Sequence, residues 1–119
     1  MILEGTRTEH GIYCPSPMEG LDKFAQVIRG KRFLDIGSGY GGIVERAQEL
    51  GANAYGVEVN EELYRDSTCR DKIFHKDVFD MDLTNWDVLY YYLGGCNREC
   101  ELFHKILREH QGYTILYSG

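Results

Sequence analysis

The residues able to do chemistry gather in one short run, Phe33-Leu34-Asp35-Ile36-Gly37-Ser38-Gly39-Tyr40-Gly41-Gly42, and at two acids further along, Glu58 and Asp77. Glycine lets a backbone turn sharply and approach a ligand with no Cβ in the way. Glycines at this spacing, after a strand and opening a helix, form the floor of a nucleotide site. Glu58-Val59 ends the next apolar run, 17 residues after Gly41, where a carboxylate accepts both hydroxyls of an adenosine ribose. Asp77-Val78 ends the run after that, where a carboxylate accepts from an adenine amino group and a main-chain N–H reaches a ring nitrogen. Asp35, Glu58 and Asp77, at three strand ends, outline a nucleoside site.

The elements that must position these residues are legible from periodicity. Ser16-Pro17-Met18-Glu19 reads as a capping box with proline at the first helical position. Leu21, Phe24, Ala25 and Ile28 then form one helical stripe, ended by Gly30. Arg32 to Ile36 is a strand; Ile43, Ala47 and Leu50 mark a helix stopped by Gly51; Ala54 to Val59 is a second strand. Asn60-Glu61-Glu62 starts a helix with both acids at the positive end of its dipole. Asp71 to Lys76 is a weaker strand, and Asp77, Asp80 and Asp82 fall in a loop. Trp86 to Tyr92 is a strong strand. Asn97 caps a helix with Cys100, Phe103, Ile106 and Leu107 as its buried face, and Tyr113 to Tyr117 is a last strand. Strands alternating with helices predict an α/β fold: a parallel sheet with helices on both faces.

Composition narrows the partners. The 119 residues predict a single domain over 1–119, and the formal net charge of −6 is the wrong sign for wrapping nucleic acid. No apolar run approaches the roughly 20 residues of a membrane span. The N-terminus interleaves acid and base with no apolar signal region, which predicts a cytoplasmic protein. The four cysteines, Cys14, Cys69, Cys96 and Cys100, read as thiols. Cys96, Cys100 and His104 at successive fourth positions span too much helix to close on one ion, and no metal is expected.

A dinucleotide needs a second mononucleotide half that this length cannot supply, so the smaller S-adenosylmethionine fits better. Asp35, two residues before the first glycine, points the same way. The segment Asp35 to Gly41 resembles motif I of the class I, Rossmann-like S-adenosylmethionine-dependent methyltransferases. Glu58, Asp77 and Trp86-Asp87-Val88-Leu89 fall at that family's next three motifs. The resemblance implies a minimal sheet of five parallel strands in the order 3-2-1-4-5. It also implies S-adenosyl-L-methionine as cofactor, held by Asp35, Gly37, Ser38, Gly39, Tyr40, Gly41, Glu58, Val59, Asp77, Val78 and Tyr90.

Within the class, Tyr13-Cys14-Pro15-Ser16-Pro17 and Tyr90-Tyr91-Tyr92-Leu93-Gly94 are similar to small prokaryotic relatives of the mitochondrial protein-lysine methyltransferases. That similarity implies N-methylation of a protein (lysine) amine, the acceptor partner being a protein or small-molecule amine, with Tyr92 and Tyr13 as catalytic residues and residues 1–15 lying over the active site. Two departures bear on the acceptor. Gly95 stands where those relatives carry proline, and the class's C-terminal β-hairpin does not follow Tyr117. The last strand is therefore expected at an unguarded edge, open to a homodimer or a docked partner. The rival expectations are a non-catalytic S-adenosylmethionine-binding subunit and a small nucleotide-binding module.

Overall fold

The computed structural model describes residues 2–4, 6–8, 11–13, 17–94 and 96–117, and side chains from residue 20 onward. In chain order the elements are β1 (Ile2–Glu4), β2 (Thr6–Thr8), β3 (Gly11–Tyr13), α1 (Pro17–Asp22), α2 (Ala25–Ile28), β4 (Arg32–Ile36), α3 (Gly42–Glu49) and β5 (Asn53–Glu58). They continue with α4 (Glu61–Arg65), β6 (Ile73–His75), β7 (Val88–Tyr92), α5 (Glu99–Glu109) and β8 (Tyr113–Tyr117). Six strands make one parallel sheet in the order β1-β8-β7-β4-β5-β6. Its five strands from β6 to β8 have the expected order 3-2-1-4-5.

The sixth strand corrects one expectation. Ile2 pairs with Ile115, Leu3 with Leu116 and Glu4 with Tyr117, so β8 has a neighbour on each side. The edge reserved for a second copy or a partner is occupied by the chain's own N-terminus. Strand β1 also changes the expected course of residues 1–15, because Ile2–Glu4 joins the sheet. Thr6–Thr8 and Gly11–Tyr13 follow as a separate antiparallel hairpin.

Because the sheet is parallel, both faces are buried and the strand sequences show little alternation. One face carries Phe33, Ala54, Val88, Tyr90, Ile115 and Tyr117 against Leu21, Ile28, Val44 and Ala47 of α1, α2 and α3. The other carries Leu34, Ile36, Val57, Leu89, Tyr91 and Leu116 against Leu102 and Ile106 of α5. The first helix is split in two: Lys23 and Phe24 N–H groups turn back to the carbonyls of Gly20 and Leu21. Gly20 lies so close to the Tyr117 ring that a Cβ there would overlap it.

Helix α5 also rotates away from expectation. Its buried residues are Leu102, Lys105 and Ile106, whereas Cys100 is exposed and Leu107 is 68% exposed. Lys105 buries its stem and places its ammonium 2.8 Å from Glu109, whose other oxygen accepts from the Leu83 N–H. A long charged side chain can thus occupy a buried stripe. Between β6 and β7 the crossover has a single 3₁₀ turn, Val78–Asp80, and no α-helix. Tyr55, Phe74 and Trp86 cover that part of the sheet, with Arg32 4.6 Å above the Trp86 ring and Lys72 5.1 Å above Tyr55.

Candidate nucleotide site

Parallel sheets present their ligand sites beyond the carboxyl ends of the strands, where strand order reverses. Here that point lies between β4 and β7. The turn after β4 is anchored to β5 through its main chain. Gly37 and Ser38 N–H groups both donate to the Val57 carbonyl, at 2.8 and 3.1 Å, and Gly41 N–H closes the turn on Ser38 at 2.9 Å. Gly37, Gly39 and Gly41 have φ of 77°, 55° and 93°, a region that residues with a Cβ rarely adopt. Gly41 is the N-cap of α3. A Cβ on Gly37 or Gly39 would meet no protein atom and would project into the open space before the turn.

Glu58 stitches this turn to the next helix. One carboxylate oxygen accepts from Gly39 N–H at 2.7 Å and the other from Asn60 N–H at 3.0 Å. Asn60 in turn accepts from Leu63 N–H and caps α4. The sequence assigned Glu58 to ribose hydroxyls; the structure shows its carboxylate ordering two main-chain segments, the glycine turn and the start of α4. Asp77 behaves similarly, accepting from Phe79 N–H at 2.9 Å to start the 3₁₀ turn.

These groups border a cavity of about 500 Å³, within the roughly 300–1,000 Å³ of small-molecule sites. Of the residues singled out from sequence, Gly37, Gly39, Glu58, Val59, Asp77, Val78 and Tyr92 line it. The others stand elsewhere. Asp35 is buried beneath the turn, with no hydrogen bond to its carboxyl among the described residues. Burial, and secondarily the Glu58 carboxylate, holds that carboxyl well above the usual carboxylate range. Ser38 is buried behind the turn against Gly56, its hydroxyl without a hydrogen-bond partner among the described residues. Tyr40 is 60% exposed and Gly41 is buried at the helix start; neither lines the cavity.

Tyr90 does not line the cavity. It shares a row with Asp35 and Ile115 across the sheet and packs between Phe33 and Tyr117 in the α1–α3 core, at ring separations of 6.2 and 5.2 Å. Tyr91, one position on, faces the opposite side with Ile36 and Val57 and lines the cavity. Its hydroxyl donates to Glu99 at 2.6 Å, and the same oxygen accepts from Gly94 N–H. Burial, then the Glu99 bond, pushes the Tyr91 phenol well above its ordinary value, which makes it a donor and not a base at neutral pH. The side chain of Tyr13 and the whole of Gly95 lie outside the described residues.

Sequence reasoning missed a second group of lining residues: Leu63, Phe79, Cys96, Asn97 and Arg98. The Arg98 guanidinium lies 3.9 Å over the Phe79 ring and pairs with Glu101. Asn97, expected as the cap of α5, precedes the observed cap position, Arg98. The available signal was the polar cluster following Tyr92; its reading as a helix start concealed its second use as a wall.

No protein-family model matches the chain, and no curated protein matches it. Solved structures do. An RNA methyltransferase from Salinibacter ruber in complex with S-adenosyl-L-homocysteine superposes with a TM-score of 0.62 at 21% identity, over 82% of this chain and 72% of that one. A Methanococcus maripaludis protein assigned as an S-adenosylmethionine-dependent methyltransferase gives 0.70 at 16%, over 87% and 55%. The plantazolicin methyltransferase BpumL, also with S-adenosylhomocysteine, gives 0.62 at 22%, over 85% and 44%. This chain thus spans between 44% and 72% of the lengths of these structures. The sheet order, the glycine turn and these superpositions give the chain the Rossmann-like fold of the class I S-adenosylmethionine-dependent methyltransferases.

Proposed function

We propose that the protein binds S-adenosylmethionine and transfers its methyl group to an amine acceptor. The observation that carries the reading is the glycine turn held open by Glu58 on one border of a cavity with Asp77 and Val78 on another. The residues suit the ligand: a Cβ-free cradle at Gly37 and Gly39 for its amino-acid end, a buried carboxylate for ribose hydroxyls, and Asp77 for an adenine amino group. Each oxygen of Glu58 holds one main-chain N–H and keeps further acceptor capacity. The sulfonium supplies an electrophilic methyl, so the protein needs placement and desolvation and no covalent catalyst.

Tyr92, 41% exposed at the cavity border, is the chain's candidate for orienting the acceptor amine, its lone pair directed inward. The parallel direction of β1 puts Glu4, the end of that strand, at the carboxyl edge of the sheet shortly before β2 begins, which supports a covering role for the β2–β3 hairpin. Calorimetry with S-adenosylhomocysteine tests the binding half; absence of heat removes it. Methyl-labelled S-adenosylmethionine with a host lysate tests transfer and identifies whether the labelled product is protein, small molecule or RNA.

A second reading, a binding subunit whose partner completes the acceptor site, has one observation in its favour. Val59, 65% exposed, and Tyr92 leave apolar surface uncovered at the cavity border. Tight binding without transfer by the isolated chain distinguishes it.

A further inference from the structure

The first half of the glycine turn is fastened to β5, but the second half, Tyr40 and Gly41, is fastened to something else. Thr68 N–H donates to the Tyr40 carbonyl at 3.3 Å, and the Cys69 thiol donates to the Gly41 carbonyl at 3.6 Å. That carbonyl also accepts from Glu45 N–H, the first bond of α3. The fit is close. A Cβ on Gly41 would stand 2.6 Å from Cys69 Sγ and 2.8 Å from Ser67 Oγ, so these two side chains fill the space a side chain at Gly41 would take. Ser67 Oγ accepts from Cys69 N–H at 3.4 Å and lies 3.9 Å from the thiol, which orders the segment internally.

We propose that Ser67–Cys69 is the support that fixes the second half of the glycine turn in its ligand-receiving shape, with Cys69 as a positioning residue that never touches the ligand. The inference rests on the cofactor reading above and extends it to a segment outside the cavity wall. Sulfur suits the position. It reaches a carbonyl over a longer distance than a hydroxyl can, and it fills an apolar gap while donating weakly. Burial raises the Cys69 thiol above its ordinary value, so the S–H donor persists at neutral pH. The support acts from behind the turn: if Gly41 relaxes, the start of α3 shifts with it, and the cradle at Gly39 loses one of its two fixed ends.

The test compares Cys69→Ala, which removes donor and bulk, with Cys69→Ser, which keeps a donor, by calorimetry with S-adenosylhomocysteine alongside thermal melting. Cys69→Ala is expected to weaken binding about three- to tenfold, the effect of one hydrogen bond relayed through the turn, with Cys69→Ser falling between it and wild type because its shorter hydroxyl reaches the Gly41 carbonyl less well. A second measurement uses the wild-type chain and does not depend on either variant folding. Slow alkylation of Cys69, followed by mass spectrometry against the exposed Cys100, is expected to slow at least threefold in saturating S-adenosylhomocysteine, since ligand on the front of the turn holds its back closed. Wild-type affinity in a folded Cys69→Ala, or an alkylation rate unmoved by bound ligand, overturns the support. No heat with the wild-type chain instead removes the cofactor reading, and the inference with it.

Discussion

The two walls of the cavity are built by different means. The wall from β4 to β5 is main chain: Gly37 and Gly39 at positive φ, Val57's carbonyl taking two N–H groups, and a single carboxylate, Glu58, tying the turn to the next helix. The wall from β7 to α5 is side chain: Tyr91, Tyr92, Cys96, Asn97 and Arg98, with Arg98 stacked on Phe79 from the β6 side. A main-chain wall is rigid and recognises whatever shares one shape; a side-chain wall changes with each substitution and can select. On the function proposed above, the cofactor half of the reaction falls to the first and the acceptor half to the second.

Glu58→Ala is the largest test of that division. It strands two part-buried N–H groups, of Gly39 and Asn60, and should lower stability by about 2 kcal/mol, the scale of hydrogen bonds to a charged acceptor. S-adenosylhomocysteine affinity should fall about a hundredfold, read by calorimetry. A mutant that binds normally would show that the main-chain wall stands without its tie. Next is Tyr91→Phe, which removes the bond to Glu99 and should cost about 1.5 kcal/mol in urea unfolding while changing ligand affinity less than Glu58→Ala does.

Asp35→Asn should act in the opposite direction on stability. The folded-state pKa of Asp35 is raised above the unfolded value by burial first and Glu58 second. Its contribution to stability is therefore fully present below the unfolded value, near 4, and is lost as pH rises toward the folded one. The amide has no such loss, so Asp35→Asn should melt higher than wild type at pH 7, with the gap closing toward pH 4. Equal gaps at both pH values would mean that burial of the acid is not the cause. Tyr92→Phe is the smallest structural change, on an exposed side chain, and should leave melting and S-adenosylhomocysteine affinity within about twofold while slowing methyl transfer about tenfold or more. Equal loss in affinity and rate would move Tyr92 to the cofactor side of the comparison.

The main-chain wall was the legible one. Glycine spacing, a strand before it and a helix after it are local signals, and Glu58 and Asp77 follow at strand ends fixed by the same periodicity. Strand β4 falls where its apolar run predicts, Arg32–Ile36, and β8 likewise, Tyr113–Tyr117. The side-chain wall depended on which way each residue of β7 points. In a strand buried on both faces, Tyr90, Tyr91 and Tyr92 carry no alternation to reveal that Tyr91, and not Tyr90, lines the cavity. Lys105 hid the true buried stripe of α5 because its charge sits at the end of an apolar stem. Strand β1 has three residues and no periodicity to detect, so only its register with β8 reveals it.

The helix-free crossover between β6 and β7 leaves the chain with a built-in optical probe. Trp86 is the single tryptophan, and it is nearly sealed between Tyr55, Phe74 and the Arg32 guanidinium, while its own carbonyl is held by His110. Its emission therefore reports one place, the seam where β4, β5, β6 and the α5–β8 connection meet. That seam is on the far side of the sheet's length from the glycine turn. Ligand that orders only the turn should leave the emission maximum unmoved, whereas opening of the sheet should shift it to the red, so one fluorescence trace can separate loosening of the site from unfolding of the protein.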